Sequence, residues 1–217
     1  MYIDTANIKE LKEALKTGVI KGVTTNPTIL KKENKPRFQQ INEIMDLKPS
    51  ILFVQILGST TDELIADFHK VMDFAKEKKY NIGIKVPMNF IGLETVKTIK
   101  NTNPEIKVLG TAIYSADQVI LSAIAGCDYV APYINRMQNN GIDPFEQVSI
   151  MRTYIDNHNL SCEILAASFK NTSQISEALT SGAHTCTIPF DLLKAMMDKE
   201  LALNAIQVFN TDGYSIE

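Results

Sequence analysis

Short apolar or β-branched runs alternate along this chain with longer stretches in which apolar residues recur every three or four positions. The runs cover residues 2–5 (YIDT), 22–26 (GVTTN), 51–57 (ILFVQIL), 82–88 (IGIKVPM), 107–114 (KVLGTAIY), 129–134 (YVAPYI), 162–169 (CEILAASF) and 185–190 (TCTIPF). Their length and composition predict buried strands. The stretches between them have the period of a helix. NIKELKEALKTG starts at a capping Asn7, sets Ile8, Leu11 and Leu15 on one stripe, and stops at Gly18. TDELIADFHKVMDFAKEKK carries Leu64, Phe68, Val71 and Ala75 at helical spacing. SADQVILSAIAG and NTSQISEALTSG end at Gly126 and Gly182, residues suited to a helix stop.

Strands that alternate with helices predict a parallel sheet, and eight alternations predict an α/β fold of the (β/α)8 (TIM) barrel type. An open doubly wound sheet is the competing arrangement. It normally carries a glycine-rich phosphate or dinucleotide loop, and neither GxGxxG nor GxxxxGK(S/T) occurs. No linker or low-complexity tract divides the chain, so residues 1–217 read as one barrel domain. The stretch from Phe190 onward, DLLKAMMDKELALNAIQVF, is long for one crossover helix and more apolar than a single face requires. It reads equally as a last barrel helix in two pieces and as an arm docking on a neighbouring subunit.

Composition narrows the setting. The 217 residues are 45% hydrophobic and 22% charged, with a formal net charge of −3. These values suit a soluble protein with a sizeable core. Without a basic tract there is no reason to expect nucleic acid. No apolar run approaches the roughly 20 residues that span a bilayer, and MYIDTANIKE lacks the apolar region of a signal peptide. A cytoplasmic location is expected. Cys127, Cys162 and Cys186 form no CxxC pair and read as buried thiols. His69, His158 and His184 lie far apart, so no metal site is predicted.

In barrels of this type the chemistry sits at the C-terminal ends of the strands. Polar residues fall near those ends in seven of the eight runs: Asp4 and Thr5; Thr24, Thr25 and Asn26; Gln55; Lys85; Thr111 and Tyr114; Tyr133, Asn135 and Arg136; Ser168 and Lys170. Each has an ordinary reading. Asn26-Pro27 marks a turn, Ser168 a cap, Tyr133 a packing residue, Arg136 a surface cap. Strand parity adds to the pattern. Lys85 shares a face with Gly83 and Pro87, while Ile84 and Val86 take the other, so Lys85 points into the barrel. Ala131 with Tyr133, and Ala166 with Ser168, share parities that set small residues beneath polar ones and leave room for a ligand. Lysine is rarely fully buried. Burial disfavours the ammonium, and a neutral amine attacks carbonyls to form a Schiff base. The alternative is an ion pair between Lys85 and Asp4 that holds the charge. Without a metal cluster, an iminium is the better-fitting electron sink for aldol chemistry, and no cofactor is expected.

YIDTAN, GVTTNPTIL, KVPM, LGTAIY, APYINR and LAASFKN, in that order, resemble the transaldolase family in its short subfamily. The resemblance runs nearly the whole length. It implies a (β/α)8 barrel with Lys85 as the Schiff-base lysine of the fourth strand. Transaldolases carry a Glu on the third strand, an Asn opening the fifth, and a Phe on the sixth. Gln55, LGTAIY and Tyr133 instead resemble fructose-6-phosphate aldolase. That activity cleaves fructose 6-phosphate to dihydroxyacetone and glyceraldehyde 3-phosphate. The alternative is transfer of a dihydroxyacetone unit to erythrose 4-phosphate, a pentose phosphate pathway reaction. The resemblance implies that Gln55, Thr111 and Tyr133 hold a catalytic water, with Tyr133 moving the proton. It implies that Asp4 binds hydroxyls and aids proton transfer, that Thr25 and Asn26 orient the donor, and that Arg136 and Ser168 hold the phosphate. It also implies a homo-oligomer, a pentamer or decamer, with residues 190–217 reaching a neighbour. A non-catalytic barrel binding a sugar phosphate is a further reading. It needs Arg136 and Ser168 but has no use for Lys85, Tyr133 and Gln55 together.

Overall fold

In the computed structural model, which describes residues 1–216, eight parallel strands close into a barrel in chain order. They are β1 (Tyr2–Asp4), β2 (Gly22–Thr24), β3 (Leu52–Gln55), β4 (Ile82–Pro87), β5 (Val108–Ile113), β6 (Tyr129–Pro132), β7 (Glu163–Ala166) and β8 (Thr185–Ile188). β1 pairs with both β2 and β8, so no strand edge is left open. The helices are α1 (Ile8–Lys16), α2 (Pro27–Lys32), α3 (Arg37–Met45), α4 (Thr61–Lys78), α5 (Phe90–Thr102), α6 (Ala116–Ala125), α7 (Ile134–Asn139), α8 (Pro144–Asn157), α9 (Thr172–Thr180), α10 (Phe190–Met197) and α11 (Glu200–Ser215). This is the (β/α)8 barrel that the alternation predicts, with a C-terminal helix added. All eight predicted strands are present.

Local chemistry starts and stops the helices where the sequence says. Asn7 Oδ1 accepts the N–H groups of Lys9 and Glu10 at 3.0 and 3.3 Å. These satisfy donors that the first turn leaves unpaired. Asn26 caps α2 in the same way, with Pro27 in the first turn, where its missing N–H is harmless. The stripe Leu64, Phe68, Val71 and Ala75 is the buried face of α4.

The barrel has two apolar compartments. Ile84 and Val86, both fully buried, belong to the larger one between strands and helices. Tyr2, Ile51, Phe53, Leu109, Ala131, Leu165 and Ala167 fill the inside. Gly83 is directly opposite Phe53 in the β3–β4 register, and a Cβ there would collide with the Phe53 ring. Hence the inward face of β4 runs from a glycine that admits an aromatic ring up to Lys85, as the parity predicts.

Two strands depart from simple alternation. In β7 the expectation that Ala166 points inward is wrong. Ala166 packs on the helix side, and Leu165 and Ala167 face the interior. Ser168 then takes a left-handed backbone (φ 63°), which interrupts the period of two. In β5, Ala112 is also left-handed (φ 59°), and the register with β6 shifts between Gly110 and Ile113. This bulge leaves Leu109 in the interior cluster and moves Ile113 to the helix side.

The tail forms two helices. α10 buries Leu192 and Leu193 against the barrel, whereas α11 buries nothing. Leu201 and Phe209 on α11 are 85% and 68% exposed. No helix of the described residues is long and apolar enough to cross a membrane. The three cysteines are buried and unpaired, and burial pushes the Cys186 thiol up to about 11.

Candidate active site

The strand ends converge on a cavity of about 360 Å³ lined by Asp4, Asn26, Gln55, Thr111, Tyr133 and Arg136. Pro87 and the bulged Ala112 complete part of its wall. Lys85 lies one inward step below Pro87. It is 3% exposed and stands opposite Gln55 on one side and Leu109 on the other. Its Nζ donates to the Thr25 carbonyl at 3.2 Å. Among the described residues no ion pair includes Lys85 or Asp4. The alternative pairing of Lys85 with Asp4 is therefore not formed. Lysine in this position meets a neutral carbonyl, and it does not itself line the cavity, whose wall holds its strand neighbours Gln55 and Pro87.

Asp4 is held by a different partner. Thr24 Oγ1 donates to Asp4 Oδ1 at 2.7 Å and also meets Thr187 Oγ1 at 2.7 Å. Thr187, on β8, is the polar inward residue of the one strand for which the sequence reading named none. The signal was present: Thr185 and Thr187 alternate with Cys186 and Ile188 in TCTI, the period of a strand with one polar face.

On the opposite wall, Thr111 Oγ1 and the Tyr133 hydroxyl are 2.9 Å apart. Tyr133 follows β6 and pairs with Ala167 through an isolated bridge that extends the barrel rim. Its ring is wedged between two neighbours. Tyr114 packs against it edge-on at 5.6 Å, and the Arg136 guanidinium lies 5.0 Å from its centroid. Such a cation held over an aromatic face is restrained without being neutralised. Arg136 Nη1 also donates to the Tyr114 hydroxyl at 3.3 Å. Arg136 is exposed at the mouth and forms no ion pair among the described residues. Apart from the bond to Tyr114, its donors meet no acceptor side chain among the described residues and can face an anion.

Not every candidate joins this group. The Thr25 side chain turns away from the cavity and donates to the Phe53 carbonyl at 3.2 Å. Its contribution to the site is the carbonyl that receives Lys85. Asn26 spends Oδ1 on the Ile29 N–H at 3.0 Å, and its Nδ2 has no partner among the described residues. It serves as cap and cavity wall at once. Ser168 does not line the cavity. Its carbonyl accepts the Asn135 N–H at 2.7 Å, which ties the β7 end to α7. Lys170 is exposed.

The side chains around this cavity are one carboxylate, two amides, hydroxyls and a guanidinium, above a buried amine. This is a donor and acceptor set for a polyhydroxylated anion carrying a carbonyl. Among the described residues no three His, Cys, Asp or Glu side chains gather where they could hold a metal ion.

Comparison with known proteins gives the same answer along the whole chain. The profile of the family described as Transaldolase/Fructose-6-phosphate aldolase matches residues 1–213. A probable transaldolase of Geobacillus sp. (strain WCH70) is 33% identical over 211 residues, covering 97% of this chain and 96% of the relative. A probable fructose-6-phosphate aldolase of Streptococcus pneumoniae (strain ATCC 700669 / Spain 23F-1) is 35% identical over 219 residues, covering 99% and 96%. A probable transaldolase of Shouchella clausii (strain KSM-K16) is 34% identical over 211 residues, covering 97% and 95%. With Lys85 buried beneath a cavity of hydroxyl, amide and guanidinium groups on a closed eight-stranded barrel, and with this match from end to end, the chain belongs to the transaldolase/fructose-6-phosphate aldolase family.

Proposed function

We propose that this protein is a metal-free Schiff-base aldolase that cleaves and forms fructose 6-phosphate, with dihydroxyacetone and glyceraldehyde 3-phosphate as the other partners. The observation that carries the reading is the pair of hydroxyls on Thr111 and Tyr133, 2.9 Å apart on the wall of the cavity above Lys85. A Phe at position 133 offers no such group.

The chemistry runs in balanced steps. The Lys85 amine adds to the C2 carbonyl of the sugar, and loss of water gives the iminium. Removal of the C4 hydroxyl proton breaks the C3–C4 bond. The bonding electrons enter the iminium, leaving an enamine and free glyceraldehyde 3-phosphate. Protonation of the enamine at C3 and addition of water to the imine return dihydroxyacetone and the lysine amine. Tyr133, poised by Thr111, is the proton carrier, and Gln55 helps hold the water. Asp4 and Asn26 bind donor hydroxyls. Arg136 binds the phosphate, and the Ser168 backbone ties the end of β7 to α7, the helix that carries Arg136.

A second reading has its own support. Several relatives bear the name probable transaldolase, so transfer of the dihydroxyacetone unit to erythrose 4-phosphate is the competing activity. Release of dihydroxyacetone from fructose 6-phosphate, measured with and without erythrose 4-phosphate, separates the two. Release without acceptor, abolished in Lys85→Ala, fits the aldolase. Turnover that requires the acceptor sinks the aldolase reading and makes the enzyme a transaldolase.

The proposed assembly is a homo-oligomer, a pentamer or decamer, in which α11 reaches a neighbouring subunit. The apolar side chains of α11, uncovered within its own chain, support this. The proposed location is the cytoplasm.

A further inference from the structure

The β2–β3 ladder ends beside the site. Val23 N–H donates to the Ile51 carbonyl at 2.9 Å, and Thr25 N–H donates to the Phe53 carbonyl at 3.2 Å. β2 ends at Thr24 and Pro27 already opens α2, so the β2–β3 ladder stops before it reaches the Gln55 carbonyl. Residue 27 is proline and has no N–H to give. The Gln55 carbonyl instead receives Arg37 Nη2 at 2.8 Å.

Arg37 is not acting alone. Its Nη1 meets both carboxylate oxygens of Asp67 at 2.9 and 2.8 Å. Asp67 Oδ2 in turn accepts the Leu57 N–H at 2.8 Å. Between these two rungs, Ile56 N–H donates to the carbonyl of Lys85 itself at 3.0 Å. Residues 55, 56 and 57 are thus pinned one after another, two of them by a single ion pair. That pair is sheltered, with side chains only 18% and 14% exposed, so water screens it less than a surface pair. One member opens α3 and the other lies on α4, so two rigid helices hold one strand end.

We propose that the Arg37–Asp67 pair is a positioning element for Gln55. It takes up the Gln55 carbonyl where the β2–β3 ladder has ended and fixes the backbone from which the Gln55 side chain enters the cavity. The inference rests on the water-holding role of Gln55 in the proposed function. Neither Arg37 nor Asp67 reaches the reacting atoms. Their effect passes through the orientation of Gln55 relative to Lys85, where displacement of a catalytic group by about 1 Å is enough to slow a reaction severely.

The test follows the imine. Wild type, Gln55→Ala, Arg37→Met, Arg37→Lys and Asp67→Asn are each given saturating fructose 6-phosphate. Sodium borohydride then traps the imine on Lys85, and mass spectrometry measures the trapped fraction beside kcat and KM. Arg37→Met and Asp67→Asn are expected to lose about 10-fold in kcat, with KM changed by less than about twofold. Their trapped fraction should rise, as in Gln55→Ala, because the steps that need the ordered water slow down. Arg37→Lys keeps the charge but not the fork, and should recover only part of the loss. An unchanged kcat overturns the inference. So does a trapped fraction that stays level or falls with kcat, which is the behaviour of a partly unfolded enzyme. A wild type that traps no imine at all defeats the Schiff-base reading itself, and this arm is judged without any variant.

Discussion

Lys85 and Gln55 stand directly opposite each other across the β3–β4 ladder, so the buried amine and the amide above it are set by one strand register. A slip of one residue in either strand would turn that strand's member of the pair to the helix side and part the two. The amine is almost wholly buried, and its side chain makes one hydrogen bond, to a carbonyl. Burying a polar amine with a single hydrogen-bond partner costs free energy that an apolar side chain does not. Lys85→Met fills the same space with an apolar chain. It should abolish borohydride-trappable imine and aldol cleavage, while the urea midpoint stays level or rises. A midpoint well below wild type would show that Lys85 serves the fold.

The Thr111–Tyr133 hydroxyl pair should act as one unit. Tyr133→Phe removes the proton carrier and is expected to lower kcat by about 10²- to 10³-fold, a typical range for loss of a general acid–base group. Thr111→Val should cost less. The double variant should be little worse than Tyr133→Phe alone, because groups in one hydrogen-bonded pair are not additive. Steady-state kinetics on the three variants decides. Independent, multiplying losses would break the pair apart.

Gly83 is a packing requirement with a partner. Its missing Cβ is filled by the Phe53 ring inside the barrel. Gly83→Ala should destabilise the fold by about 1–3 kcal/mol, the range for overpacking a close-packed interior. Phe53→Leu in the same chain should restore part of that loss. Chemical denaturation of the two variants measures it, and additive losses would contradict the fit.

His184 predicts an acid-side weakness. Its Nδ1 accepts the Ile164 N–H at 2.9 Å, which requires that nitrogen to be unprotonated. Burial first, and then the Arg152 charge, lower its proton affinity below the ordinary value of 6.5. A base depressed in the folded state contributes stability that is present above the unfolded value and is lost as pH falls below it. Stability should therefore decline below about pH 6.5, and less steeply in His184→Gln. Denaturation curves between pH 5 and 8 for both proteins test the difference; parallel curves would exclude the residue.

The α11 arm carries exposed Leu201, Ile206 and Phe209 in its own chain. Removing residues 200–217 should reduce the assembly to smaller species, with an unchanged barrel by circular dichroism. A light-scattering mass that does not change on truncation would show that the arm does not hold subunits together.

Much of this protein is legible in its primary structure. The alternation of short strand runs with helix-period stretches determines the barrel, because a strand buried on both faces and an amphipathic helix have different periods. The cap at Asn7 and the inward parity of Lys85 rest on local rules, and they appear as those rules require. Other features depend on contacts between distant residues and have no local signature. The Ala112 bulge moves Ile113 to the helix side, and the left-handed Ser168 ends the alternation of β7, so parity counted back from Ser168 misplaced Ala166. Thr25 entered as a side-chain ligand and serves through its carbonyl. Thr187 became part of the site only when barrel closure brought β8 beside β1, within hydrogen-bonding distance of a residue 163 positions away. Arg37, which no local rule singles out, reaches the Gln55 carbonyl only because the fold sets the start of α3 beside the end of β3. Periodicity carries information about which face a residue occupies. Only the closed barrel decides which faces meet, since each such contact joins residues that the chain itself keeps apart.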